Sequence, residues 1–148
     1  MEMGTINCKA RLYIFPVKAI VKVADEEFHR KGDVNWDGVI DEEDLNLLRE
    51  AYGSRPGDPN WNPDADLDGD GYVDVRDIVT CAQNQGLVAP EYVTPFTIEV
   101  PEGRVVLIST YRGQQIREEL TVTEANTKTV VFIYSLLGYL TRSKVIES

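Results

Sequence analysis

Hydrophobic and polar positions alternate at both ends of the chain, and this alternation is lost in the middle. The stretch "CKARLYIFPVKAIVKVAD" is rich in Ile, Val, Tyr and Phe and predicts two strands, at about residues 8–15 and 18–24, separated at Pro16. From residue 25 to about residue 90 the chain is acidic, rich in Gly, Pro and Asn, and contains two short helical patterns. From residue 94 the sequence again shows the alternation and the residue types that are typical of strands.

The last third of the chain predicts four strands with a turn between each pair. The strands are "PFTIEV", "RVVLISTY", "QIREELTV" and "KTVVFIY", and turn residues lie at 100–103, at 112–113 and at 124–126. Short strands at this spacing favour a β-sandwich. Because four strands leave such a core partly uncovered, we expect the two N-terminal strands to complete it.

These patterns predict a mainly β fold, a small β-sandwich with an inserted α-helical module. We expect residues 1–28 and 90–148 to form a discontinuous sandwich and residues 29–89 to form the insert. An insertion at a loop tip is thermodynamically tolerable because the entropy of loop closure grows slowly with loop length.

The strands of the last third also resemble a known group of sandwiches. The segment "PFTIEVPEGRVVLISTYRGQQIREELTVTEANTKTVVF" looks like transthyretin-like or carboxypeptidase-regulatory-like domains, with a Pro-x-Gly turn, a strand ending in Tyr-x-Gly and a Thr/Val-rich hairpin. The resemblance covers roughly 40 residues. It implies a small structural or interaction domain without an active site.

The middle segment contains two copies of one twelve-residue pattern. "DVNWDGVIDEED" at 33–44 and "DLDGDGYVDVRD" at 66–77 both place oxygen-bearing side chains at positions 1, 3, 5, 9 and 12, and Gly at position 6. Ca²⁺ binds about 6–8 oxygen ligands, and the glycine permits the sharp bend that brings them to one centre. The pattern therefore predicts calcium sites, with Mg²⁺ as a competitor and solvated Asx-turns as the alternative.

Several local features follow from this pattern. We expect Ile40 and Val73, at position 8, to meet through a short β-like contact between the loops. We expect position 12 to open a helix and its carboxylate to close the site. No helix is predicted before either loop, because Phe28 to Gly32 is short and the second loop follows a proline-rich stretch. Neither loop offers Cys or His, which disfavours Zn²⁺.

A duplicated loop and helix with Asp at position 12 resembles a dockerin. The matching pieces are "GDVNWDGVIDEEDLNLL" and "ADLDGDGYVDVRDIV". The resemblance implies two calcium ions and a protein partner, cohesin in the cellulosomal members. It places the ligands of the first ion on Asp33, Asn35, Asp37, the Val39 carbonyl, Asp41 and Asp44, and those of the second on Asp66, Asp68, Asp70, the Tyr72 carbonyl, Asp74 and Asp77.

The chain departs from cellulosomal dockerins at the residues that face cohesin. Positions 10 and 11 commonly carry small hydroxyl residues there, whereas this chain has Glu42-Glu43 and Val75-Arg76. Position 4 of the first loop, usually Gly or a similar residue, is Trp36. We therefore expect this chain to share the calcium binding of dockerins more closely than their binding of cohesin.

The net charge and the length of the longest apolar run limit which kinds of partner and which cellular location we expect. The net charge is −10, and residues 33–77 alone hold fourteen acids and three bases. This balance argues against nucleic acid and against anionic membrane surfaces. The longest apolar run, residues 130–140, is about half a membrane span. The resemblance favours an extracellular or cell-surface location, although the N-terminus lacks the pattern of a secretory signal.

A few further side chains have two interpretations. Trp36 and Trp61 could form a platform for glycan stacking, but we favour packing within the small insert. Cys8 and Cys81 are either bridged or two buried free thiols. His29 is the only histidine, and no nucleophile motif accompanies it, so we predict no catalytic site.

The sequence therefore predicts a non-catalytic, calcium-binding structural protein, a subunit or module of an extracellular, surface or particle assembly. Two alternatives stay open: a dockerin-type recognition module that binds a cohesin-like partner, and a carbohydrate-binding module. Self-assembly is a further possibility that the sequence leaves open.

Overall fold

The computed structural model describes residues 3–12, 15–123, 127–134 and 142–147. The turn predicted at 124–126 and the end of the apolar run at 135–140 lie outside these residues.

The chain forms two compact units. One consists of Met1–Glu26 with Pro90–Ser148, and the other of Glu27–Ala89. The strands are β1 Met3–Leu12, β2 Phe15–Pro16, β3 Ile20–Ala24, β4 Glu91–Val93, β5 Phe96–Pro101, β6 Gly103–Tyr111, β7 Gln114–Val122, β8 Thr127–Tyr134 and β9 Arg142–Glu147. The helices are α1 Glu26–Arg30, α2 Glu42–Ala51 and α3 Val75–Gln83, with a 3₁₀ turn at Pro63–Ala65.

The first unit consists of two sheets. In the first sheet, β1 is central: it pairs in parallel with β8, which pairs with β9, and its other edge is shared by β5 and β2. The second sheet has the order β4-β3-β6-β7 and is antiparallel throughout. This arrangement confirms the predicted fold class, a mainly β sandwich with a small helical module.

Alternation along the strands builds the core between the sheets. Ile6 and Cys8 of β1 are fully buried, as are Val21 of β3 and Leu107 of β6. Phe132 is among the largest fully buried side chains that the structure describes. Since side chains of a strand point alternately to its two faces, the residues between these positions lie on the outer faces.

The N-terminal strands differ from the prediction in extent. The first strand begins at Met3 instead of residue 8, because its first six residues pair with β5. Pro16 does not separate two long strands: it lies in the two-residue strand β2, which pairs with the end of β1. Proline is tolerated there because β2 lies at the edge of the sheet. The short strands β4 and β9 were not predicted.

The predicted turns have two different roles. Arg112 and Gly113, with φ of 49° and 77°, connect β6 to β7 as a two-residue hairpin, as predicted. The turn at residues 100–103 instead takes the chain from one sheet to the other, since β5 pairs with β1 and β6 pairs with β3 and β7. Gly103 has φ of 133° at this crossing, which a residue with a Cβ rarely adopts.

Within the part of the chain that the structure describes, no helix has the length and apolar character needed to cross a membrane.

Candidate calcium sites

Each predicted loop leads into a helix that is capped by the loop's own carboxylates. In the first repeat, Asp41 Oδ1 accepts the backbone N–H of Glu43 at 3.1 Å, and Asp44 Oδ2 accepts that of Asp41 at 2.9 Å. This reciprocal arrangement is a capping box. The same two bonds recur in the second repeat, where Asp74 accepts from Arg76 at 2.8 Å and Asp77 accepts from Asp74 at 2.9 Å.

The helices therefore begin two residues earlier than predicted. Helix α2 starts at Glu42 and α3 at Val75, which are position 10 of their loops, so the prediction that position 12 opens the helix is wrong. The reason is that an aspartate at position 9 is a good N-cap. Position 12 becomes the third residue of the helix, where its carboxylate faces the N-cap and the loop together.

The carboxylate at position 1 organises the bend of each loop. Asp33 accepts the backbone N–H of Asp37 at 3.1 Å and that of Gly38 at 3.0 Å. In the second loop, Asp66 accepts the equivalent N–H groups of Asp70 at 3.2 Å and Gly71 at 2.8 Å. The glycines have φ of 82° and 83°, the left-handed conformation that the bend requires. The two loops thus repeat each other down to single hydrogen bonds.

The first loop gathers three predicted ligands into one buried group. Oxygens of Asp33, Asp37 and Asp44 all lie within 4.8 Å of one another. Asp33 and Asp44 are both 0% exposed. Burial, reinforced by the neighbouring carboxylates, raises the pKa of Asp33 to about 7 and that of Asp44 to about 6. A second, less buried group combines Asp37 with Asp41 and Glu43.

The second loop gathers its ligands closer to solvent. Oxygens of Asp66, Asp68 and Asp70 lie within 4.8 Å of one another, and the last two side chains are exposed. Asp77 is buried, which raises its pKa, and its Oδ1 accepts the N–H of Leu67 at 2.9 Å. This bond attaches the start of α3 to the start of the loop.

A cation of the protein itself lies beside the second loop. Arg76 forms an ion pair with Asp74 at 2.8 Å, a longer one with Asp68 at 4.0 Å, and a short contact with Asp70. The hydrogen bond from Arg76 lowers the pKa of Asp74. The first loop has Glu43 at the equivalent position, so the two loops differ in the charge that surrounds them.

The remaining predicted ligands form hydrogen bonds within their own loops. Asn35 Oδ1 accepts the N–H of Asp37 at 3.2 Å, and Asp68 Oδ1 accepts the N–H of Asp70 at 3.1 Å. Val39 and Tyr72 donate their N–H groups to the position 5 aspartates, at 3.0 and 2.9 Å. The ligand role of their carbonyl groups stays a prediction.

The position 8 residues pair differently from the prediction. Ile40 and Val73 are fully buried, but Ile40 donates its N–H to Leu87 O at 2.9 Å, and Val73 donates to Ser54 O at 3.0 Å. Leu87 follows α3 and Ser54 follows α2. Each loop therefore pairs with the segment that leaves the other repeat's helix, and the expected direct pairing of the loops is wrong. This crosswise pairing ties the two repeats into one unit.

Short helical segments precede both loops, contrary to the prediction. Helix α1 at Glu26–Arg30 has five residues and leads into the first loop, and the 3₁₀ turn at Pro63–Ala65 leads into the second. The 3₁₀ turn forms because Asn62 accepts the N–H of Asp64 at 3.0 Å and proline occupies a first-turn position.

A chain of contacts that the sequence pattern did not predict connects the first loop to the 3₁₀ turn that leads into the second. His29 Nδ1 donates to the carbonyl of Asp33 at 2.7 Å, and the His29 ring stacks on Trp36, with centroids 4.3 Å apart and planes at 7°. Trp36 Nε1 donates to Asp64 at 3.3 Å. Trp36 is 2% exposed, which confirms for this residue the prediction that the tryptophans pack the module. The only sequence signal was a large residue at position 4, where the second loop has Gly69.

The cysteines are free and buried, the second of the two interpretations above. Burial raises the pKa of Cys8 to about 12 and that of Cys81 to about 11. Cys81 packs against Gly32, where an added Cβ would lie 2.7 Å from the Cys81 Cα. A glycine is therefore needed just before the first loop so that α3 can approach.

The donor set fits a hard divalent cation. All gathered donors are oxygens, and several are carboxylates that folding buries side by side, which is unfavourable unless a cation compensates them. Calcium accepts this number and type of ligand, and it tolerates irregular geometry better than magnesium does.

Comparison with protein families matches residues 31–83 to the dockerin type I domain. Comparisons with curated proteins and with solved structures gave no significant match. None of these findings tests the transthyretin-like resemblance of the sandwich, which stays a prediction. Residues 31–83, with their paired acidic loops and capped helices, are thus similar to the dockerin type I domain, an EF-hand-like module that binds calcium.

Proposed function

We propose that this protein is a non-catalytic, calcium-stabilised β-sandwich protein that serves as a subunit or module of an extracellular or surface assembly. The observation that carries the proposal is the duplicated loop, in which the same carboxylates make the same hydrogen bonds twice. The similarity to dockerins, which are typically components of extracellular or surface assemblies, supports the same location and role.

In this proposal two calcium ions act as part of the fold of the module. Residues 33–77 have a net charge of −11, so without metal the acidic loops repel each other. Two ions would bring four positive charges to the loops. Because calcium binds the folded module and not the unfolded chain, its binding free energy adds to the free energy of unfolding.

Thermal melting with and without a chelator tests this role. At about 100 times its dissociation constant each ion contributes about 2.7 kcal/mol. For a unit of this size, two ions would raise the melting temperature by roughly 20 °C or more. We expect the melting temperature of the double variant Asp33→Asn/Asp66→Asn to be the same with and without chelator. A control variant, Glu91→Gln, should behave as the wild type, and a melting temperature that exhaustive chelation leaves unchanged would refute the proposal.

A second candidate function is recognition of a protein partner through α3. Val75 is 57% exposed and Val79 is 44% exposed, and at four residues apart they lie on one face of the helix. The equivalent positions of α2 are Glu42 and Asn46, which are polar. An apolar face on one of two related helices is typical of the centre of a protein interface.

Binding to an immobilised cohesin domain would test this candidate. We expect the neutral substitutions Val75→Ser/Val79→Ser to weaken binding strongly with calcium affinity unchanged, whereas Glu42→Gln/Asn46→Asp on α2 should retain binding. If neither pair of substitutions changes binding, or if the wild type does not bind, α3 is not a cohesin site. A carbohydrate-binding role is a third candidate and would appear as quenching of tryptophan fluorescence on addition of a sugar, with Trp61 as the half-buried reporter.

A further inference from the structure

The outer face of the first sheet has a regular arrangement of cations. The strand register places Lys9 opposite Val131, and Val131 opposite Lys144, in one row across β1, β8 and β9. Paired residues of neighbouring strands lie on the same face, and the buried Cys8, Val130 and Phe132 show that this face is the outer one.

A second row of the same kind lies two residues further along. It consists of Arg11, Ile133 and Arg142. We call the two rows together the basic array, which comprises Lys9, Arg11, Arg142 and Lys144 around Val131 and Ile133. Lys9, Arg142 and Lys144 are exposed and the other three are half-buried. A shallow groove of about 330 Å³ lies at its edge, lined by Lys9, Arg11, Pro16 and Val131 among others.

The dimensions of the basic array follow from sheet geometry. Neighbouring strands are about 4.8 Å apart, so the backbones of β1 and β9 are about 10 Å apart across β8. Rows two residues apart along a strand are separated by about 6.8 Å. Each row therefore presents two cations about 10 Å apart with an aliphatic side chain between them.

Helix α2 carries the complementary pattern. Glu43, Leu47 and Glu50 follow one another at i, i+4 and i+7 and so lie on one face of the helix. At about 1.5 Å of rise per residue, the two glutamates are about 10.5 Å apart along the axis. Both glutamates are exposed and Leu47 is half-buried between them. We call these three residues the acidic stripe.

We propose that the basic array of one copy binds the acidic stripe of a second copy, with Glu43 and Glu50 against the two cations of a row and Leu47 against its central aliphatic residue. Spacing, charge sign and the central apolar residue match on the two sides. The stripe contains none of the predicted calcium ligands, and of its two glutamates only Glu43 belongs to the less buried acidic group with Asp37 and Asp41. The inference deepens the assembly role proposed above and names the partner as another copy of this chain.

Such a contact joins two different surfaces, so it is heterologous. A heterologous contact that does not close into a ring produces open chains. The contact depends on exposed charges, so salt weakens it: the screening length falls from about 10 Å at 0.1 M ionic strength to about 3 Å at 1 M.

Sedimentation velocity of the full chain in saturating calcium tests the proposal. We expect wild-type protein to form oligomers that grow with concentration at low ionic strength and dissociate in high salt. Lys144→Glu, in the array, and Glu50→Lys, in the stripe, should each weaken association at least about tenfold. Lys18→Glu and Glu27→Lys make the same charge changes at exposed positions outside both surfaces and should associate as wild type does.

A mixture of the two charge-reversal variants gives the sharpest outcome. The Lys144→Glu copy keeps an intact stripe and the Glu50→Lys copy keeps an intact array, so the mixture should form one-to-one dimers and nothing larger. Two results in sedimentation would overturn the proposal: wild-type protein that stays monomeric, and a mixture that does not dimerise. A wild-type monomer that is retained on an anionic polysaccharide column would also overturn it. Calcium stoichiometry, measured on the same samples, shows separately whether the calcium role holds.

Discussion

Replacing Trp36 with glycine tests whether the contact chain from His29 through Trp36 to Asp64 stabilises the module. Trp36 has φ of 59°, and Gly69, at the same position of the second loop, has φ of 72°. A non-glycine residue in this left-handed conformation costs about 1–2 kcal/mol. Judged by backbone conformation alone, Trp36→Gly should stabilise the protein and make the first loop more like the second.

The surroundings of the indole lead to the opposite expectation. Trp36 is 2% exposed, stacks on His29 and donates to Asp64 at 3.3 Å. Removal of a buried tryptophan side chain costs about 3–5 kcal/mol. Subtracting the relieved backbone strain leaves a net destabilisation of about 1–4 kcal/mol.

Urea unfolding in saturating calcium, followed by circular dichroism at the helix band, measures this effect, because the three α-helices of the described residues lie within 26–83. The midpoint should fall by roughly 2 M, given a slope of about 1–2 kcal/mol per molar urea. Trp36→Phe keeps a ring to stack on His29 and should lose less. Gly69→Ala, where an added Cβ would contact nothing within 4 Å, measures the backbone strain by itself. A Trp36→Gly variant as stable as the wild type would refute the reasoning.

Three further predictions concern the loops. Asp44→Ala and Asp77→Ala should each remove one bound calcium ion, counted by native mass spectrometry, because each deletes the carboxylate at position 12; retention of both ions would exclude that role. The stability that the chelated module gains from protonated Asp33 and Asp44 is fully present below about pH 4 and is lost as pH rises through about 6 and then about 7, since burial raises the folded-state pKa of these groups. Calcium needs the deprotonated forms, so the rise in melting temperature on adding calcium should be larger at about pH 7.5 than at about pH 5.5, and an equal or smaller rise would contradict this. Arg76→Gln should tighten calcium binding at the second loop a few-fold in a chelator-competition titration, because an exposed ion pair is worth up to about 1 kcal/mol; unchanged affinity would mean that Arg76 does not compete with calcium.

Local chemistry explains which parts of the site could be predicted from the sequence. The positions of the aspartates and of Gly38 and Gly71 depend on bonds within twelve residues, so the pattern alone indicates them. The pattern of ligands places the start of each helix too late, because the aspartate at position 9 is an N-cap as well as a predicted ligand.

Contacts between distant residues explain what the sequence did not predict. Ile40 pairs with Leu87, which is 47 positions away, and no local pattern indicates that the loop exchanges backbone bonds with the end of the other repeat. The stack of His29 on Trp36 depends on α1, a helix of only five residues with little signal of its own. In the sandwich, the three-residue strand β4 is too short for alternation to indicate it.

The central claim is that both loops bind calcium and that the metal completes the fold of the module. Isothermal titration calorimetry of the chelator-stripped full chain with calcium tests it most directly. The account predicts two ions bound per chain, with proton release below about pH 7 and a gain of helical structure on binding. A chain that binds no calcium, or that binds one ion with the helices already fully formed, would contradict the account.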